Sequence, residues 1–366
     1  MTPDPGRQLI VFIQRPERLR DLPLRRWDSL LRIARRANLI GRLALEARRA
    51  GFFHELPEQV QTHLASAEIL TTHQRAAIAW ETGHLARALE SLDAPVVLLK
   101  GAAYASAGLK AANGRLFGDV DILVPRADLP RAEAALMLHG WAGGGNDPYD
   151  ERYYRQWMHE IPPMTHRGRG TVVDLHHNIL PLTARHSPDA GQLLAASRPL
   201  PGSPFRVLSP ADMVIHSATH LYYESELQNG LRDLFDLDAL LREFSAAADD
   251  FWDALAERAA TLGLALPLYL ACRHRAALLD AETPPRTQAA LAKASDLGNL
   301  ATRMLDSIYT RALMPDHSLC NTLPATLARL AVYLRGHSLR MPPGLLTRHL
   351  TRKFFIRLFR NTSRTA

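Results

Sequence analysis

Cysteine is scarce in this chain: there are two in 366 residues, Cys272 and Cys320, far apart and without metal-ligand spacing. Neither a disulfide framework nor a cysteine-built zinc site is expected, and two unpaired thiols fit a reducing cytosol. No apolar run approaches the roughly 18 residues that would suggest a membrane span. The opening MTPDPGRQLIVFIQRPERLR has charge on both sides of a short apolar run and no small-residue cleavage site, so no signal peptide is expected. Acidic side chains are missing after Asp316, while Arg329, Arg335, Arg340, Arg348, Arg352, Lys353, Arg357, Arg360 and Arg364 follow it. The net charge of +7 is therefore largely local, and the rest of the chain need not be basic. These absences point to a cytoplasmic protein, with peripheral membrane contact open only through the basic end.

What the chain does have is concentrated between Val96 and Val124, VVLLKGAAYASAGLKAANGRLFGDVDILV. An apolar run, Val96 to Leu99, breaks at Lys100-Gly101. A small-residue segment, Ala102 to Leu109, follows, and the stretch ends in Gly118-Asp119-Val120-Asp121-Ile122-Leu123-Val124. This reads as strand, glycine turn, helix, strand. The strand period of two sets Asp119 and Asp121 on one face, with Val120 and Ile122 on the other. Paired carboxylates repel unless a cation lies between them, and Mg²⁺ prefers such oxygen ligands together with substrate phosphates. Acids at a solvated strand end would give the same pattern.

A third acid lies in Thr171-Val172-Val173-Asp174-Leu175-His176-His177, where a strand would point Val172, Asp174 and His176 one way. If this strand pairs beside the Asp-x-Asp strand, three carboxylates meet. Three carboxylates around one or two Mg²⁺ ions suit in-line phosphoryl or nucleotidyl transfer.

Leu99-Lys100-Gly101, Arg115, Gly118-Asp119-Val120-Asp121 and Val173-Asp174-Leu175-His176, in that order, resemble the DNA polymerase β-like nucleotidyltransferase superfamily. The likeness is to its uncharacterised branch, with a Leu-Lys-Gly turn and a Gly-Asp-x-Asp strand, and it covers residues 90 to 240 best. The resemblance implies an NTP substrate such as ATP, metal binding and catalysis by Asp119, Asp121 and Asp174, and Mg²⁺, or Mn²⁺, as cofactor. It also implies triphosphate contacts from Lys100, the Gly101-Ala102 backbone and Arg115. One departure is Gly101-Ala102, where the superfamily carries Gly-Ser or Gly-Gly, so a phosphate-binding hydroxyl is missing. The likeness continues in Arg232-Asp233-Leu234-Phe235-Asp236-Leu237-Asp238, making Arg232 and Asp233 candidates for nucleotide or acceptor contacts. A salt-bridged helix surface is the competing explanation there.

The flanks read as helices. Trp27, Leu30, Leu31, Ala34 and Ala37 recur at helical spacing among arginines, Gly51 stops the next helix, and Pro57 opens another. Asp128 and Ser209 are placed to cap helices. Tyr149, Tyr153, Tyr154 and Trp157 could stack on a base, but at this spacing aromatic residues more often serve core or rim packing. His159, His166, His176 and His177 lack zinc-ligand spacing, and His216 and His220 lack the intervening glutamate of a zinc-protease helix. The Leu345–Phe359 stretch alternates apolar and basic residues, so it could meet an anionic surface, membrane or nucleic acid, or pack on its own core.

The expected architecture is α+β, a small mixed sheet flanked by helices. It divides into a helical N-terminal region (1–92), a nucleotidyltransferase core (93–205) and a helical C-terminal region with a basic tail (206–366). The expected activity is transfer of a nucleoside monophosphate from an NTP to an acceptor, with release of pyrophosphate. A small molecule, a sugar, a peptide or protein, and an RNA are all open as acceptors. A catalytically silent nucleotide- or partner-binding module of the same fold is the alternative.

Overall fold

The computed structural model describes residues 4–144, 148–341 and 344. Its centre is a mixed sheet of seven strands among the described residues: β1 (Val97–Leu98), β2 (Val120–Leu123), β3 (Trp141–Gly143), β4 (Met164–His166), β5 (Val172–His176), β6 (Arg198–Pro199) and β7 (Arg206–Val207). The spatial order is β3-β4-β5-β2-β1-β7-β6. The β2–β5 and β1–β7 pairs are parallel and the others antiparallel. With helices before, between and after the strands, this is an α+β fold.

All four residues of β2 are buried, and in β5 Val173 and Leu175 are fully buried. Those apolar side chains anchor the sheet and turn the alternate positions, Asp174 and His176, toward the opposite face. The parallel register sets Asp121 against Asp174 and Val120 against Val173. The site therefore follows from two strands whose apolar faces share one core.

The N-terminal helices form as their periodicity indicates. The Leu24–Arg36 helix buries Trp27, Leu30, Leu31 and Ala34 and keeps Arg25, Arg26 and Arg32 outside. The Ile40–Arg49 helix carries Arg42 inward. It comes so close to the loop before β2 that a Cβ on Gly114 would lie 2.7 Å from the Arg42 backbone, and Gly114 also takes φ +66°. Only glycine fits both demands. A 31-residue helix, Glu58–Ala88, then crosses toward β1.

Capping was half legible. Ser209 accepts the backbone N–H of Asp212 at 3.2 Å, as its position predicts. Asp128 instead sits in a short 3-10 turn, makes no capping bond to the Leu129–Leu138 helix, and pairs with Arg131 at 3.3 Å. After Ser209 the chain is helical, from Pro210–Tyr223 through Gly230–Ala247 to Leu323–Arg340, and Pro285 and Pro324 occupy first-turn positions. A run of three glycines, Gly143-Gly144-Gly145, begins at the end of β3, and residues 145–147 lie outside the described part. The basic Leu345–Phe359 stretch also lies outside it. No helix among the described residues is long and apolar enough to cross a membrane.

Candidate active site

Lys100 opens the turn out of β1 and starts the Lys100–Ser106 helix. The sequence suggested that glycine makes this turn, yet Lys100 is the residue in the left-handed region, at φ +43°. A non-glycine there is strained, and such strain clusters where a side chain must be aimed. Its ammonium nitrogen lies 3.0 Å from Asp121 Oδ1. Gly101 is needed for space instead: a Cβ there would lie 2.4 Å from an Arg115 guanidinium nitrogen and 3.1 Å from the Phe117 ring.

Asp121 is buried and meets two nitrogens at one oxygen, the Lys100 ammonium and the His176 Nε2, each at 3.0 Å. Burial alone would push its carboxyl up, but Lys100 and His176 outweigh burial and hold it well below the usual carboxylate range. Burial likewise opposes charge on Lys100 and His176, and the facing carboxylates reverse the effect, raising both. Asp174 has no such partner. Burial, then Asp121, Glu160 and Asp119, push it up to about 7, and its Oδ1 is buried without a hydrogen bond.

Asp119 is exposed, immediately before β2, at the rim of a cleft of about 460 Å³. Lys100, Gly101, Tyr104, Arg115, Asp121 and His220 line this cleft, as do Arg232, Asp233 and Asp236 from the Gly230–Ala247 helix. Asp174 is not part of the lining and lies beside Asp121 across the strand pair. Ala102 is buried and is not part of the lining either. Arg115 donates from Nε to Asp236 Oδ2 at 2.8 Å, and Arg42 reaches Asp236 Oδ1 at 3.0 Å. Arg232 is bonded to its neighbour Asp233 at 2.6 and 2.9 Å. The lining carries four carboxylates, Asp119, Asp121, Asp233 and Asp236, against three cations, Lys100, Arg115 and Arg232. A triphosphate alone would meet an excess of negative charge; a divalent cation reverses that balance.

A family model described as an uncharacterised nucleotidyltransferase matches residues 23–280. The chain belongs to this family. The matched span contains the three acids and every residue of the cleft lining. The family's description gives nucleotidyl transfer as the general class of chemistry. No curated protein and no solved structure matches the chain.

In this family member, several groups around the acids escaped the sequence reading. Asp236 joins Arg42 to Arg115, and its signal was present: it falls one helical turn after Arg232 and Asp233, on the same face. Tyr104, Asn38, Gln74 and Asn229 line the cleft without any motif to reveal them. The histidines need a correction. His166 packs elsewhere, edge-on against Trp141, but His159 and His176 come together with Glu160, their ligand atoms all within 4.8 Å of one another. Spacing along the chain could not show this. Backbone bonds from His177 N–H to the His159 carbonyl (2.8 Å) and from Ile161 N–H to the Leu175 carbonyl (3.1 Å) lay one segment against the other. His216 is buried, and burial and then Lys100 push it down to about 3, so it is neutral.

Proposed function

We propose that the chain transfers a nucleoside monophosphate from an NTP to an acceptor and releases pyrophosphate, using Mg²⁺ or, in its place, Mn²⁺. One observation carries this reading: Asp121 and Asp174 stand opposite each other on parallel neighbouring strands, with Asp119 at the rim of a cleft that also holds Lys100 and Arg115. The donor set suits a hard divalent ion, since Asp121 and Asp174 are carboxylates side by side on paired strands and the Asp174 Oδ1 is buried with no protein partner. Asp119, Asp121 and Asp174 would hold it. Bound there, the ion supplies positive charge to the triphosphate.

The protein's own residues do the rest. Lys100 and Arg115 face the triphosphate and offset the charge that builds up on pyrophosphate as it leaves. The Gly101 backbone lets the chain approach the phosphates without a side chain in the way. Arg232 and Asp233 border the nucleoside end. The acceptor oxygen attacks the α-phosphorus, the bond from that phosphorus to the bridging oxygen of the leaving pyrophosphate breaks, and the acceptor proton passes to a carboxylate of the site, the role we assign to Asp174.

Asp121 Oδ1 already has two nitrogen partners, the Lys100 ammonium and the His176 Nε2. That favours, as a second reading, a module that binds NTP without turning it over. Pyrophosphate release with a pooled acceptor extract separates the two. The enzyme reading expects release that requires Mg²⁺ or Mn²⁺ and disappears in Asp119→Asn and Asp174→Asn. Metal-dependent NTP binding with no release would favour the silent module.

A further inference from the structure

The acid cluster has a neighbour that Mg²⁺ chemistry does not use. His159 and Glu160 lie on the segment that hydrogen-bonds to the end of β5, and Glu160 sits directly opposite His176 in an antiparallel bridge. Both imidazoles turn their Nε2 atoms to the same carboxylate oxygen: Glu160 Oε2 is 3.4 Å from His176 and 3.9 Å from His159. The latter distance is too long for a hydrogen bond, and the His159 Nδ1 is buried without any partner. His159 is thus aimed at Glu160 without being bonded to it.

Two ligand atoms on one tetrahedral zinc ion, each about 2.1 Å from it, lie about 3.4 Å apart. The two spacings to Glu160 lie within about half an ångström of that value, and the ligand atoms of the two histidines lie within 4.8 Å of each other. Asp121 Oδ1, 3.0 Å from His176 Nε2, is a fourth donor atom within reach. Imidazole nitrogen is a poor ligand for Mg²⁺, which takes oxygen, and a good one for zinc.

We propose that His159, Glu160 and His176 form a Zn²⁺ site beside the Mg²⁺-binding carboxylates. The ion takes the Nε2 lone pairs of both histidines and an oxygen of Glu160. It thereby replaces the hydrogen that His176 Nε2 now directs at Asp121, and His176 carries its hydrogen on Nδ1. The bound ion locks the 159–161 segment onto β5 and sets the position of His176 against Asp121. The two sites are chemically distinct: one is all oxygen and takes Mg²⁺, the other is two nitrogens and an oxygen and takes zinc.

The full chain, stripped with chelator, is dialysed against trace Zn²⁺ in excess Mg²⁺, without nucleotide, and its metal content is measured. The wild type is expected to retain about one Zn²⁺ per chain. His159→Gln and Glu160→Gln are expected to bind it at least about tenfold more weakly, the scale on which even groups outside the ligand shell act. His139→Gln, an exposed histidine that contacts its own helix, should match the wild type. Far-UV circular dichroism of the metal-free variants checks that they are folded. His159 is the safer change because its Nδ1 has no partner to lose. Displacement of Zn²⁺ by the Mg²⁺, no retention, or variants that bind like the wild type would each overturn the proposal. Because no nucleotide is present, failure of the transfer reading would leave this result intact.

Discussion

At the scale of single residues, the site depends on which buried charges have partners. Asp236 is 3% exposed and joins two guanidiniums, Arg42 and Arg115, themselves buried. Breaking a buried pair by removing one member costs about 3–5 kcal/mol, because the remaining charge is left uncompensated. Asp236→Ala should therefore lower the unfolding free energy by that amount in urea titration; a change within about 0.5 kcal/mol, the surface range, would mean that the pairing does not matter. Asp174 behaves in the opposite way, since it is the acid without a partner. Its carboxyl titrates at about 7 in the folded protein against 3.8 for an ordinary aspartate. Between these values the folded chain keeps a proton that the unfolded chain has released, so this group's contribution is fully present below about pH 4 and is lost as the pH rises through 7. In metal-free buffer the wild type should lose stability between about pH 4 and 7 relative to Asp174→Asn, with a difference of slope of up to about 1.4 kcal/mol per pH unit. Parallel stability curves for the two proteins would show that Asp174 is not held protonated.

At the scale of elements, the turn after β1 and the pairing of β2 with β5 decide the geometry. Gly101→Ala places a methyl group where the Arg115 guanidinium now lies, 2.4 Å away, so Arg115 must leave its position. Losing a charged contact to phosphate is worth about 1.5–3 kcal/mol, so NTP affinity should fall about tenfold to a hundredfold, read by calorimetric titration with Mg²⁺ present. Unchanged affinity would remove Arg115 from the triphosphate site. Ser209→Ala removes the one capping bond the sequence predicted correctly in this region, and should cost about 1 kcal/mol in thermal or urea unfolding. These elements also explain what could be read in advance. The alternation in GDVDILV and VVDLH put the acids on common faces, because a strand's period is local and its apolar partners are visible in the sequence. Whether β5 would lie beside β2, parallel and in the register that sets Asp174 against Asp121, is a long-range choice that no local pattern carries. The same holds for Glu160 and His159, which reach His176 only through a backbone ladder between separate segments. Lys100 adopting the left-handed conformation was hidden behind its neighbour, since Gly101 is the residue that composition would assign to it.

At the scale of the molecule, the hydrophobic core runs through the whole described chain. Leu30, Leu43 and Leu64 from the first helices belong to one connected cluster with Val97 and Leu123 of the sheet and Leu234 of the later helices. Arg42 adds a polar link, from the N-terminal helices to the Asp236 that holds Arg115. Deleting residues 1–92 should therefore leave a chain without cooperative unfolding by circular dichroism. A cooperative melt of residues 93–366 would show that the sheet folds without that brace. The central claim concerns which bond of the NTP breaks, and labelling position tests it most directly. The purified chain is incubated with Mg²⁺, acceptor extract and NTP carrying ³²P at the α-phosphorus in one sample and at the γ-phosphorus in another. Label from the α-position moving to the acceptor, with the γ-label recovered in pyrophosphate, is the predicted result. Transfer of the γ-label to the acceptor, or no transfer from either position despite metal-dependent NTP binding, would contradict it.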